Sequence, residues 1–288
     1  MPSARPGGPG LRIARVLARE FGGRSETSLD PDLRVFVTDL TRPYGIPLRE
    51  DLLRQGVGHS YGEMAEGLLG EALAPDEPVD LLVLAFSAPD VRPGRSTAVH
   101  LSRFCPGAPL AFAICDQGAA AAFTALRIAA DHVRTGGCGR AVVLVLEQAA
   151  LHYQAAEPEP LPDRHCAVVL VCEKEEEEEG GAGVTVSQVS GIPGESGDGM
   201  LRTRVAGLDR RTALVLGPQF GEQFGPTPRE AVREAVRARA GQPITGVWAE
   251  LAARLPGWRA ERRPVLVADL DRRLGRISTL LIPSPAEL

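Results

Sequence analysis

The sequence predicts a layered α/β fold with a mainly central sheet, and three observations carry that prediction. Short, almost unbroken apolar runs recur, namely VDLLVLAFS (79–87), LAFAIC (110–115), AVVLVLE (141–147) and CAVVLVCE (166–173). Strands of that texture need cover on both faces. Segments of helical composition alternate with them, above all the alanine-rich stretch from Gly118 to about Thr135, and that alternation defines a layered α/β core. The link between AVVLVLE and CAVVLVCE is rich in Glu and Pro and too short for a crossover helix. Those two strands are therefore expected as antiparallel neighbours in a mixed sheet.

The remaining elements follow in order. Residues 1–10 read as a frayed leader. LRIARVLARE (11–20) is a first strand, although its length also fits a helix, and DLRVFVTDL (32–40) reads as a better strand. SYGEMAEGLLGEAL (60–73) has helical periodicity despite two internal glycines, and STAVHLSRFC (96–105) is a short helix. The run EEEEE (175–179) reads as solvated charge in a hairpin loop. Beyond it, GVTVSQVSG (183–191) is a strand, GESGDG a loop and TALVLG (212–217) a buried strand. TPREAVREAVRARA (227–240) is expected to be a helix, with Thr227 as N-cap, Pro228 in the first turn and Glu230 three residues on. A helix over VWAELAARL (247–255) and strands over PVLVADLD (264–271) and ISTLLIP (277–283) complete the chain.

Composition excludes several function classes. With 288 residues, 44% hydrophobic and 24% charged, the chain has the balance of a globular protein and no need of disulfide staples. A formal charge of -5 argues against broad nucleic-acid binding. No apolar run approaches the roughly 20 residues that span a bilayer, so neither signal peptide nor membrane anchor is expected. The five cysteines (Cys105, Cys115, Cys138, Cys166 and Cys172) show no metal-ligand spacing and suggest reduced thiols in the cytoplasm. No metal site is expected. Lys174 is the single lysine, which removes lysine-based catalysis elsewhere. Walker, HExxH and GxSxG motifs are absent.

The stretch VDLLVLAFSAPD, STAVHLSRF, LAFAICDQGAAAAFTALRIAADHVRTGG and RAVVLVLEQ resembles the condensing enzymes of the thiolase superfamily, most closely the ketoacyl synthase III group. The likeness in order and spacing runs from 79 to 173, with a further echo in VADLDRRLGRIS near the C-terminus. It implies a five-layer fold of two pseudo-symmetric halves with mixed central sheets, divided into 1–181 and a shortened 182–288, and a homodimer. It also implies, as substrate and not as resident cofactor, an acyl-phosphopantetheine or coenzyme A thioester. The implied partner is an acyl carrier protein or a ketosynthase, in bacterial natural-product biosynthesis of the polyketide type.

In that family a cysteine at the start of a buried helix attacks the thioester. The helix field and nearby backbone N–H groups support the thiolate and the oxyanion. Aligning Gly118 with the family's glycine puts Asp116 at the nucleophile position and Gln117 at the small-residue position, and leaves Cys115 one residue early. Asp116 reads as an N-cap or a general base, and Cys115 as a buried thiol or, through a bulge, a nucleophile. The resemblance also asks for a late His and an Asn after a glycine. Gly275 is followed by Arg276, and no histidine follows His165. Decarboxylative condensation is therefore not expected. His152 and His165, flanking one loop, are candidate bases, and Glu147 at a strand end a candidate pocket residue. Arg276 could bind a carboxylate or phosphate, or pair with Asp116. Three functions remain open: non-decarboxylative acyl transfer or modification, a catalytically inactive homologue that partners an active enzyme or holds a carrier-bound intermediate, and a general binding or structural module.

Overall fold

A computed structural model describes residues 9–154, 161–175, 183–193, 196–220 and 234–284. The first sheet contains β1 (Gly10–Phe21), β2 (Leu81–Ala85), β3 (Leu110–Ile114), β4 (Arg140–Glu147) and β5 (His165–Glu175), in the order β1-β5-β4-β2-β3. The second contains β6 (Thr185–Ser190), β7 (Ala213–Leu216), β8 (Glu234–Arg237), β9 (Val265–Asp271) and β10 (Arg276–Ile282), in the order β6-β10-β9-β7-β8. The two orders superimpose strand for strand. In each sheet the two pairs at one end are antiparallel and the two at the other end are parallel. The expected antiparallel pairing of β4 with β5 is present, with Glu147 opposite Cys166.

Side-chain alternation explains the layers. Successive residues of a strand point to opposite faces. On β4, Ala141, Val143 and Val145 face one cluster, while Val142, Leu144 and Leu146 face another. The first cluster joins both sheets through α6 (Ala121–Arg134) and α8 (Gly246–Ala260), which therefore form a central layer. Outside the first sheet lie α4 (Tyr61–Ala72) and α5 (Thr97–Ser102), burying Tyr61, Met64, Leu68 and Leu101. Outside the second lies α7 (Ser196–Ala206), burying Leu201 and Val205 against Leu214 and Leu266. The sequence is helices, sheet, helices, sheet, helix. Within the middle layer Phe123 and Trp248 meet with ring centroids 4.8 Å apart at 54°.

Three local expectations are corrected. Residues 32–40 belong to helix α2 (Pro31–Thr41), not to a strand. Leu33, Val35 and Val37 mimic strand alternation, but Asp30 accepts from Asp32 N and Pro31 opens the first turn, so the capping signal prevails. The buried positions are Leu33, Val37 and Thr41, at helical spacing. In place of the C-terminal part of the helix expected over 227–240, Glu234–Arg237 form edge strand β8, parallel to β7; residues 227–233 lie outside the described residues. The expected loop GESGDG enters α7 from Ser196. Glu175 closes β5, and the rest of the glutamate run lies outside the described residues.

Short helices α1 (Glu26–Leu29) and α3 (Glu50–Gln55) pack beside the first half. Among the described residues, no helix is long and apolar enough to cross a membrane and no group of His, Cys, Asp and Glu is arranged to hold a metal ion.

Candidate functional site

The pseudo-symmetry brings the ends of two strands and two helices together. Glu147 is the last residue of β4 and Asp271 the last of β9. Leu81 pairs with Ala141 in the first half and Ala213 with Val265 in the second, so the two carboxylates, each six residues further along its strand, occupy equivalent positions. Each reaches across to the helix of the opposite half. Glu147 accepts from Ile244 N (2.7 Å) and Thr245 N (3.0 Å), just before α8, and also from Thr245 Oγ1 and from Gln242 Nε2 (2.9 Å). Asp271 accepts from Ala119 N (3.3 Å), just before α6, and from Leu274 N (2.9 Å). Helix N-termini leave N–H groups unpaired and carry partial positive charge, so a carboxylate is the natural occupant. Burial pushes the Glu147 carboxyl up, and its four donors pull it back down.

Between these crossed contacts lies a cavity of about 300 Å³, walled by residues of both halves including Leu146, Gly118, Ala119, Ile244 and Asp271. Tyr61 and Gln148 also line it, but their polar atoms are committed. Tyr61 OH donates to Ala88 O at 2.8 Å, while Gln148 accepts from Val91 N at 3.1 Å and donates to Pro89 O. Gly118 is at φ +50°, and a Cβ there would collide with Asp271 Oδ2. A glycine is required on both counts. A second, outer groove of about 970 Å³ shares Ser87, Ala88 and Leu161 with the cavity and runs past Asp116, Ala150 and Tyr153.

The residues singled out in the sequence distribute as follows. Gly118 and Glu147 line the inner cavity, Glu147 with its oxygens engaged by the α8 approach. Asp116 lines the outer groove and is exposed. It does not cap a helix: Gln117 precedes the 3-10 turn Gly118–Ala120 without a side-chain cap, and Asp271 is the carboxylate at that terminus. Cys115 is exposed beyond β3, so the expectation of a buried thiol is corrected, and a hydrogen bond to Asp116 raises its pKa. The other four thiols are buried, and burial raises each pKa. Gln117 accepts from Thr124 Oγ1 at 2.7 Å. Arg276 does not meet Asp116; its Nε donates to Ser190 Oγ at 3.0 Å on the neighbouring strand. The groups that sequence reasoning passed over are Asp271, Gln242 and Thr245, with Gln219 and Arg273 also on the cavity wall. The legible signal was the pair of acids two residues apart in the otherwise apolar VADLD, which puts both on one face of a buried strand.

His152 and His165 sit elsewhere, in a buried cluster behind the outer groove. His165 Nδ1 accepts from Ala149 N at 3.0 Å, His59 lies 5.3 Å from His165 between ring centroids, and His152 Nε2 meets Val57 O at 2.9 Å. Burial is the main cause lowering the His165 pKa from 6.5 to about 4, with His59 and His152 adding to it and Glu63 opposing. Burial also lowers His152. A histidine with a depressed native pKa binds fewer protons than the unfolded chain between pH 4 and 6.5, so it destabilises the fold progressively as pH falls through that window. The raised carboxyls of Glu147 and Asp269 act in the opposite sense. The measurement is therefore a difference: the urea midpoint of His165→Gln should fall less than that of the parent between pH 7 and 4.5. Parallel curves would contradict the assignment.

No family model and no curated protein matches this chain. Solved structures do. The 3-oxoacyl-(acyl carrier protein) synthase III of Pseudomonas aeruginosa aligns over 97% of this chain and 99% of its own, at 16% identity and a TM-score of 0.60. A tetronic acid condensing enzyme aligns over 95% and 100%, at 15% identity and 0.61. OleA of Xanthomonas campestris aligns over 96% and 97%, at 11% identity and 0.54. At such identities the likeness is one of fold. The chain has the thiolase-like fold of the condensing enzymes: two mixed five-stranded sheets in pseudo-symmetric α/β halves. It is specifically the fold of the synthase III and OleA structures, over almost the whole length of each.

Proposed function

We propose that this protein binds acyl thioesters, carried on phosphopantetheine or coenzyme A, in the cavity between its halves without forming an acyl-enzyme. It would hold an intermediate for, or pair with, an active condensing enzyme in bacterial natural-product assembly. One observation supports this reading above the rest. The helix terminus at the cavity faces the Asp271 carboxylate, and none of the five cysteines or five histidines lines that cavity. Forming a cysteine acyl-enzyme needs a thiolate, which a carboxylate beside the same N–H groups replaces and disfavours. The fold relatives supply the substrate class: one is a 3-oxoacyl-(acyl carrier protein) synthase, another a tetronic acid condensing enzyme.

A second reading rests on Asp116. It is a non-glycine residue at φ +58°, in the left-handed region, on the wall of the outer groove. Strained residues beside grooves are functional candidates, and a carboxylate there could serve as base for acyl transfer to an alcohol or amine.

We also propose that this protein forms a homodimer. β3 is the edge of the first sheet, Leu110 on it is 57% exposed, and an uncovered edge strand offers unpaired N–H and C=O groups to a second copy. One set of samples tests all three statements. After incubation with acyl-coenzyme A and acyl-carrier panels, intact mass should show no acyl adduct, and native mass should show twice the 30.6 kDa chain with ligand retained. An adduct lost in Cys115→Ala would overturn the non-covalent reading. Turnover abolished by Asp116→Asn would replace it with the second.

A further inference from the structure

The crossed carboxylates are equivalent by position but not by occupancy. Glu147 receives four donors, three of them on one oxygen, whereas Asp271 receives two, the one from Ala119 N at a long 3.3 Å. An ionised carboxylate offers about four acceptor sites, so Asp271, 94% buried from its 6% exposure, keeps about two of them at the cavity wall. Around it the wall combines apolar Ala88, Leu146, Leu161, Pro243 and Ile244 with the polar side chains of Gln148, Gln219 and Arg273. A third carboxyl, Asp269, lies on the same face of β9, 2% exposed and with Oδ2 unpartnered. Among the described residues the lining holds two carboxyl groups, Asp271 and Glu147, against the single guanidinium of Arg273, so the cavity presents an excess of acceptor capacity, where an unmet buried acceptor is costly and a like charge is repelled.

We propose that Asp271 is a specificity-determining residue, which makes the cavity select an acyl group carrying a hydrogen-bond donor, a hydroxyl or an ammonium, over a plain acyl group, and reject one carrying a carboxylate. This rests on the acyl-binding reading above and names the kind of acyl group. It also reverses the carboxylate recognition expected of Arg276, which lies on β10 and donates to Ser190 instead.

The test is calorimetric titration of the intact protein with amide-linked, non-hydrolysable pantetheine analogues bearing butyryl, 3-hydroxybutyryl, 3-aminobutyryl or malonyl groups. Hydrogen bonds to charged groups contribute enough to give about a tenfold preference or more. The hydroxy or amino analogue, or both, should bind at least about tenfold tighter than butyryl, and malonyl weakest. The two donor arms separate a neutral donor from ion pairing. Asp271→Asn should erase the amino advantage, read as the ratio of 3-aminobutyryl to butyryl affinity within the variant. Should that variant not fold, the ranking by the parent protein decides alone. Equal binding of all four analogues, tightest binding of malonyl, or an amino advantage undiminished in Asp271→Asn would overturn the selectivity and leave the acyl-binding reading intact. Binding of none would overturn the reading itself, and the selectivity with it.

Discussion

Glu147→Ala should lower the unfolding free energy by about 3 kcal/mol, read as a fall in the urea midpoint at unchanged slope. The reasoning is one of unmet donors. The side chain is 2% exposed, and its removal orphans Ile244 N, Thr245 N, Thr245 Oγ1 and a Gln242 amide proton together. Each buried, unsatisfied group costs about 1–3 kcal/mol, tempered here because water in the adjoining cavity can reach some of them. The loss is also topological. Glu147 belongs to the first half and its donors to the second, so the variant weakens the seam between the sheets. Asp271→Asn should cost clearly less, since only two donors are affected. An unaltered midpoint in Glu147→Ala would show that the clasp does not hold the halves.

Trp248→Ala should be comparable or larger, at about 3–5 kcal/mol. Trp248 is fully buried on α8 and packs on Phe123 of α6, so its loss opens a large void in the layer that both sheets share. Trp248→Phe separates packing from polarity. The indole Nε1 is buried without a hydrogen-bond partner, so phenylalanine removes an unmet donor while keeping most of the apolar contact. Its cost should be less than half that of the alanine variant in the same denaturation experiment. Equal costs would mean that ring size and not burial of the indole governs the site.

Much of the architecture is legible in the chain, because burial on both faces writes itself as apolar runs. β2, β4, β5, β7, β9 and β10 all stand where such runs predict strands, and α4, α5, α6 and α8 where helical composition does. The errors fall where the signals conflict. In 32–40 a strand-like alternation competes with an Asp-Pro helix start, and capping wins because the alternate valine faces outward. In 234–237 the residues favour a helix, and pairing with β7 along the open edge of the second sheet overrides that preference. The candidate site was legible only in part. Gly118 and Glu147 were found because each closes or opens an element, but Asp116 and Cys115 owe their positions to a backbone turn at φ +58° that no residue pattern announces.

The amino-acid order by itself determined that short apolar strands would alternate with helices, and that no histidine could serve from the second half. It did so because periodicity and residue inventory are local properties. Only the tertiary structure decided that Asp271 stands at the start of α6 and Glu147 at the start of α8. Those contacts join residues 152 and 97 positions apart, and the identity of the group that meets a helix terminus depends on how the two halves stack.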